Sequence, residues 1–229
     1  MSEATTPSTT LVVDSRRSTS DNNGSMFYTK SGKRVLDLAL GVPLLLLALP
    51  LILLLGIATV LASGWPPFYS AKRVGLAGRE FSMWKIRTMA KNADEVLSGW
   101  GSSDVELAAQ YAENFKLLDD PRVTSLGHFL RRTSMDELPQ LWNVVKGEMS
   151  LVGPRPYYMH EIEGSPSTLA AVISIRPGLT GPWQTRGRSS LQPNSRFELD
   201  EAYATQLCLL GDLRYLIGTI RPLITANGV

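Results

Sequence analysis

The chain has 229 residues, 44% of them hydrophobic, and its 23 Lys and Arg against 21 Asp and Glu leave a formal charge of +2. That length suits one domain with an appendage, and so even a balance argues against a general nucleic-acid binder or an acidic tail. A single cysteine, Cys208, excludes a disulfide framework and a cysteine-based zinc site, and two histidines argue against His-rich metal chemistry.

Residues 1–29 form the first of three expected regions, a disordered tail. Thr5, Thr6, Ser8, Thr9 and Thr10, then Ser18 through Gly24, leave no apolar period beyond Leu11-Val12-Val13. It is not read as a signal peptide, because the apolar run comes more than ~30 residues in and exceeds the ~7–15 residues of a signal core.

The second region, 30–64, holds that run: Leu38–Ser63, 26 residues without a charge. Uncharged stretches of ~18 or more point to a membrane segment rather than a buried core helix. Pro43 and Pro50 interrupt it. With Pro50 as the break, Arg34–Leu49 would extend ~24 Å and Leu51–Ser63 ~20 Å, each short of a ~30 Å hydrocarbon core. Lys30, Lys33 and Arg34 precede the run, and Lys72, Arg73, Arg79, Lys85, Arg87 and Lys91 follow it. Basic flanks stay cytoplasmic, and a re-entrant hairpin satisfies both at once. A straight span kinked at proline is the competing reading.

The third region, 65–229, reads as a globular cytoplasmic domain. Phe68–Met89 suggests a small hairpin around Gly75 and Gly78. Asp104–Leu118 has apolar residues at helical spacing, and Ser134–Val145 predicts a helix stopped by Gly147. Gly147–Gly187 is dense in Gly and Pro, the mark of shaped loops. Leu213, Leu216, Ile217, Ile220, Leu223 and Ile224 share a helical face, which fits either a core helix or one lying in a membrane surface. The fold class expected is α/β, mainly α.

Chemistry concentrates in Leu130–Gln140. Ser134-x-x-Glu137 has the spacing of a capping box, yet Pro139 would then free the carbonyl of Met135. A helix starting near Asp136 would place the proline in its first turn, and the sequence leaves both registers open. In either, Asp136 and Glu137 sit at a helix start just after Arg131 and Arg132. Such a place favours anions and would keep Asp136 ionised. Two adjacent carboxylates suit Mg²⁺ shared with substrate phosphates, and an ionised carboxylate can attack phosphorus. Arg131, Arg132 and Arg155 carry the planar fork suited to phosphate oxygens.

Several motifs in one order resemble the bacterial sugar transferases, the monotopic phosphoglycosyl transferases that initiate exopolysaccharide or O-antigen synthesis. They are Lys33-Arg34-Val35-Leu36-Asp37; Arg73-Val74-Gly75 with Phe81; Lys85 through Met89; Asp120 through Thr124; Leu130 through Gln140; Asn143 through Pro156; Arg176 through Gly181; Trp183-Gln184; Gly187-Arg188; and Asp200-x-x-Tyr203. The resemblance covers about residues 33–224.

It implies transfer of a hexose-1-phosphate, glucose or galactose being usual, from a UDP-sugar to undecaprenyl phosphate, with release of UMP. It implies Asp136 as nucleophile and Glu137 as its catalytic partner, with Mg²⁺ at the pair. It implies substrate or phosphate contacts by Lys85, Arg87, Arg131, Arg155, Arg176, Gln184 and Arg188, and a membrane hinge at Pro50. It also implies a place on the cytoplasmic face of the bacterial inner membrane, contact with membrane lipid, no nucleic acid, pairing of copies, and a minimal form without the extra transmembrane domain of larger relatives. Two departures stand out: Pro182 where a larger apolar residue is usual, and His128, read as a helix-surface residue, where Arg is common. Two other readings are an assembly protein that has lost catalysis and a single-span protein with an extracytoplasmic domain. The intact acidic pair argues against the first.

Overall fold

The structure, a computed structural model, describes residues 28–93, 95–97, 99, 117, 120–163, 166–186 and 193–224. The tail expected over 1–29, apart from Tyr28 and Thr29, and the helix expected over 104–118, apart from Leu117, lie outside the described residues.

A π-helical turn, Tyr28–Gly32, leads into α1, Lys33–Ser63. Its leucines and alanines are good helix formers, and the helix continues through Pro43 and Pro50. The break expected at Pro50 therefore does not end it: a proline removes a single N–H donor, and the helix runs on for more than three turns beyond it. Lys33, Asp37, Gly41, Ile52, Leu55, Gly56 and Thr59 are buried, and Leu45 and Ala48 pack on the core between them. These positions recur every three or four residues, so one stripe faces the globular part along the whole helix. Leu46, Leu47, Leu53, Leu54, Ile57 and Leu61 point outward and are exposed.

The foot of α1 is anchored by the Lys33-Arg34-x-x-Asp37 motif. Lys33 Nζ lies 2.5 Å from Asp212 and donates to the Tyr203 hydroxyl at 3.1 Å. Arg34 donates to the carbonyls of Val144 and Val145 at 2.6 and 2.7 Å. Asp37 accepts from Ser150 Oγ at 2.8 Å and from the Leu151 amide at 2.9 Å. Three charges at the start of the apolar helix thus fix its direction.

The expected hairpin is present: β1, Phe68–Val74, pairs antiparallel with β2, Glu80–Ile86, with Tyr69 opposite Lys85 and Arg73 opposite Phe81. Then come α2, Ser125–Thr133, a 3₁₀ turn over Met135–Glu137, and α3, Gln140–Lys146. β3, Ser150–Val152, pairs in parallel with β4, Gly178–Thr180, across α4, Met159–Glu163, and α5, Pro166–Ile173. A Cβ on Gly178 would lie 2.1 Å from the Gly153 amide nitrogen, so this pairing requires glycine there. The chain closes with α6, Pro182–Arg186, α7, Pro193–Thr205, and α8, Leu209–Ile224. Among the described residues the fold is mainly helical, as the sequence predicts, with two two-stranded sheets; the β3–β4 pair lies in the stretch expected as shaped loops.

The main core joins Phe81 and Met83 of β2, Leu141 and Val144 of α3, and Leu151 and Val152 of β3 to Tyr203 and Leu207. A second cluster sets Leu55 of α1 against Ile86 and Leu130. The two readings of the last helix are divided between its faces: Tyr215 and Leu216 pack on the core, while Leu210, Leu213, Ile217 and Ile220 are exposed.

Candidate active site

Neither register foreseen for Ser134–Val145 is the one adopted. Ser134 takes a left-handed conformation (φ 57°) and closes α2, its amide donating to the Arg131 carbonyl. The capping box does not form, because Ser134 makes no side-chain cap and Glu137 turns to Lys85. Pro139 stands just ahead of α3, where its missing N–H costs nothing. Asp136 thus lies in a tight 3₁₀ turn between two helices rather than in the first turn of one.

That turn sits against β2. Lys85 Nζ is 2.6 Å from Glu137 Oε1 and 3.8 Å from Asp136 Oδ2. Asp136 is only 6% exposed, whereas the Glu137 side chain is 39% exposed. Burial, and after it the charge of Glu137, raises the Asp136 carboxyl to about 6, against the opposing pull of Lys85 and Arg131. Burial alone would lower the Lys85 ammonium, but Glu137 and Asp136 outweigh it and hold it above its ordinary value. Burial lowers the Arg131 guanidinium, with Asp136 and Asp120 acting the other way.

The alignment of these groups rests on residues to which the sequence reading gave no role. Arg131 Nε donates to Thr88 Oγ1 at 3.0 Å. α2 can approach because Gly127 lies on the Thr88 backbone, where a Cβ would fall 2.0 Å from the carbonyl oxygen. Thr124 caps α2 by accepting from the Gly127 amide at 2.9 Å. Asp120 grips Arg122 through two bonds of 2.9 and 2.7 Å, and Arg122 holds the Asp120 carboxyl below its usual range despite burial. Fully buried Asn143 of α3 accepts from the Trp84 amide and donates to the Ser82 carbonyl and to Glu148, fixing β2 beside Lys85. The motif running from Asn143 to Pro156 signalled this pin, without its role.

Of the residues expected at the site, Asp136, Glu137, Lys85 and Arg131 come together. Arg87 does not join them: it donates to the Ser63 carbonyl at 2.9 Å and to the Gly64 carbonyl, closing the C-terminal end of α1 where a cation is favoured. Arg176 donates to the Gly147 carbonyl at 2.8 Å. Arg155 lies in a separate cluster, 3.4 Å from Glu161 and over the rings of Tyr157 and Trp183. Gln184 stands beside Trp183 on α6, and Arg188 lies outside the described residues. His128 is exposed on α2, as expected.

No cluster of three or more His, Cys, Asp or Glu side chains occurs among the described residues. The donor set at the site is the Asp136–Glu137 pair, converging on a single cationic group. That arrangement fits a hard cation held by one or two carboxylates and completed by substrate phosphates.

The site thus brings a buried carboxylate 3.8 Å from Lys85 and within reach of the Arg131 charge, beside a long apolar helix. The family model for bacterial sugar transferases matches residues 28–226, and the chain belongs to that family. It is 40% identical over 207 residues to the UDP-galactose-lipid carrier transferase of Erwinia amylovora, covering 90% of this chain and 43% of the relative. It is 38% identical over 196 residues to the exopolysaccharide production protein ExoY of Sinorhizobium fredii, covering 86% and 87%. With the UDP-glucose:undecaprenyl-phosphate glucose-1-phosphate transferase of Caulobacter vibrioides the identity is 37% over 207 residues, covering 85% and 70%. The chain spans under half the length of the Erwinia relative and of the undecaprenyl-phosphate galactose phosphotransferase of Salmonella typhimurium, 43% in each case.

Proposed function

We propose that the chain transfers a hexose-1-phosphate from a UDP-sugar to undecaprenyl phosphate, opening exopolysaccharide synthesis at a bacterial inner membrane. In the first half-reaction an ionised Asp136 oxygen attacks the β-phosphorus. The bond from that phosphorus to the bridging oxygen breaks, and UMP departs with the electron pair. In the second, an oxygen of the lipid phosphate attacks the same phosphorus, and Asp136 returns as carboxylate. Lys85 and Arg131 offset charge on the phosphoryl oxygens. Bound Mg²⁺, held by Asp136 and Glu137, would supply further neutralisation of phosphate charge.

The observation that carries this reading is the burial of Asp136, 3.8 Å from Lys85 and within reach of the Arg131 charge, in a chain of this family. Purified protein given a UDP-hexose, undecaprenyl phosphate and Mg²⁺ is expected to release UMP, and Asp136→Asn to release none. Donor supplied without lipid should leave a phosphosugar adduct on the peptide bearing Asp136. Normal turnover by the variant would end the nucleophile assignment.

Support for a re-entrant α1 comes from its two ends. Arg34 near its start and Ser63 at its close are both bonded to the one globular part. A straight crossing would drag that polar body into hydrocarbon along with the helix. An anchor that enters and leaves by one face, bent at Pro50, keeps it at the surface, where lipid phosphate and soluble donor meet. The exposed leucines of α1 and the outer face of α8 are the surfaces that meet lipid. On this reading the globular domain and both flanks share the cytoplasmic side.

A further inference from the structure

Asp200 is a motif residue to which the proposed reaction gives no part. It lies on α7, fully buried, and its Oδ2 accepts from the Arg155 amide and from the Tyr157 hydroxyl, both at 2.8 Å. Its Oδ1 is sealed without a hydrogen-bond partner among the described residues, so those two bonds carry the compensation for its burial. Burial raises the carboxyl to about 6, while the two bonds and the Arg155 charge pull the other way. At neutral pH it is therefore ionised, and both bonds are charge-assisted.

What this carboxylate secures is one loop, Pro154-Arg155-Pro156. Proline has no amide N–H, so Arg155 carries the only backbone donor of the three residues, and Asp200 takes it. Pro156 restricts the Arg155 backbone further, towards extended conformations. The loop's two ends are tied elsewhere. The Gly153 amide donates to the Thr180 carbonyl at 2.9 Å, the Pro154 carbonyl accepts from Gly178 at 2.8 Å, and the Tyr157 carbonyl accepts from Val74 at 2.9 Å. The Tyr157 ring stacks on Phe197 of α7, with centroids 4.5 Å apart.

The loop presents the Arg155 side chain, which keeps 22% of its surface accessible and lies 5.6 Å from the Trp183 ring. Arg196, one turn before Asp200 on α7, is 5.6 Å from the same ring. The charge of Arg155 acts against both Arg73 and Arg196, while Glu161, 3.4 Å from Arg155, favours both. Three mutually repelling guanidiniums, opposed by Glu161 and the enclosed Asp200, leave positive charge in surplus beside a flat ring. An anion carrying a planar base fits such a surface.

Resting on the reading that the donor is a UDP-sugar, we infer that Asp200 is a positioning residue for that donor: it holds the Arg155 amide so that the guanidinium meets the charged part of the donor beside Trp183. Arg155 makes the contact, and Asp200 fixes the backbone from which it reaches.

The test is a double-mutant cycle on the full chain in lipid nanodiscs: wild type, Asp200→Ala, Arg155→Gln and the two together. Arg155→Gln should raise the KM for UDP-hexose about ten- to hundredfold, the loss of a charge-assisted contact. Asp200→Ala should raise it about tenfold, leave the KM for undecaprenyl phosphate unchanged, and add less than about twofold once Arg155→Gln is in place. Asp200→Asn keeps an oxygen at the amide without the charge, and should cost about threefold. Equal losses in the two backgrounds overturn the inference, because a merely structural carboxylate would act without Arg155. An unchanged donor KM in either single variant overturns it as well, as does a rise confined to the acceptor KM. Should Asp200→Ala fail to fold, Asp200→Asn carries the cycle, and an unchanged donor KM there is equally fatal. A wild type that releases no UMP from UDP-hexose brings down the functional reading and this inference together. UMP release by the wild type, with independent losses in the cycle, removes the inference alone.

Discussion

Asp136 is protonated further up the pH scale than an ordinary carboxyl, because burial and then Glu137 raise it to about 6. In the proposed reaction the attacking form is the ionised one, so UMP release is expected to fall about tenfold per unit below pH 6 and to level off above it. Lys85 opposes that rise, and its removal should move the acid limb of Lys85→Gln to higher pH, read from residual turnover. A limb that stays in place would assign the titration elsewhere. The sign for stability is opposite. The unfolded carboxyl releases its proton near 3.8 while the folded one keeps it to about 6, so this residue's contribution is greatest at low pH and is lost as pH rises through that window. Asp136 could be picked from the sequence as a carboxylate near arginines. Its raised proton affinity could not, since that comes from enclosure by β2 and α2.

At the scale of elements, the approach of α2 to the strand end holds the site together. Gly127→Ala places a methyl 2.0 Å from the Thr88 carbonyl oxygen and should destabilise the chain by about 1–3 kcal/mol, seen as a lower unfolding midpoint, with loss of UMP release as Arg131 is displaced. Thr124→Ala removes the α2 cap and should cost about 1 kcal/mol, with turnover largely kept. The sequence misled most here. Ser134-x-x-Glu137 fits a capping box, but the half-buried Lys85 of β2 gives Glu137 a stronger partner than a backbone amide. Arg87, equally plausible as a phosphate ligand, is taken by the carbonyls that end α1. Both outcomes depend on neighbours more than twenty residues away.

For the whole molecule, the arrangement of α1 on the globular part predicts topology. In a Cys208→Ser background, Ser31→Cys before α1 and Lys72→Cys after it should both react with an impermeant maleimide from the cytoplasmic side only. Labelling from opposite sides would establish a through-span. The apolar run already marked out the long helix α1 in the sequence. The hairpin of β1 and β2 and the predominance of helix were legible as well, because period and turn residues are local properties.

Local chemistry in the sequence thus determined a long uncharged helix, a mainly helical domain, and an acidic pair close to arginines, since each follows from residue type and spacing over a few turns. Only the tertiary structure decided which cations face Asp136, that Asn143 and Gly127 set their positions, and that Asp200 holds the Arg155 amide. Those depend on which distant segments share a surface, and packing fixes that where spacing along a chain does not.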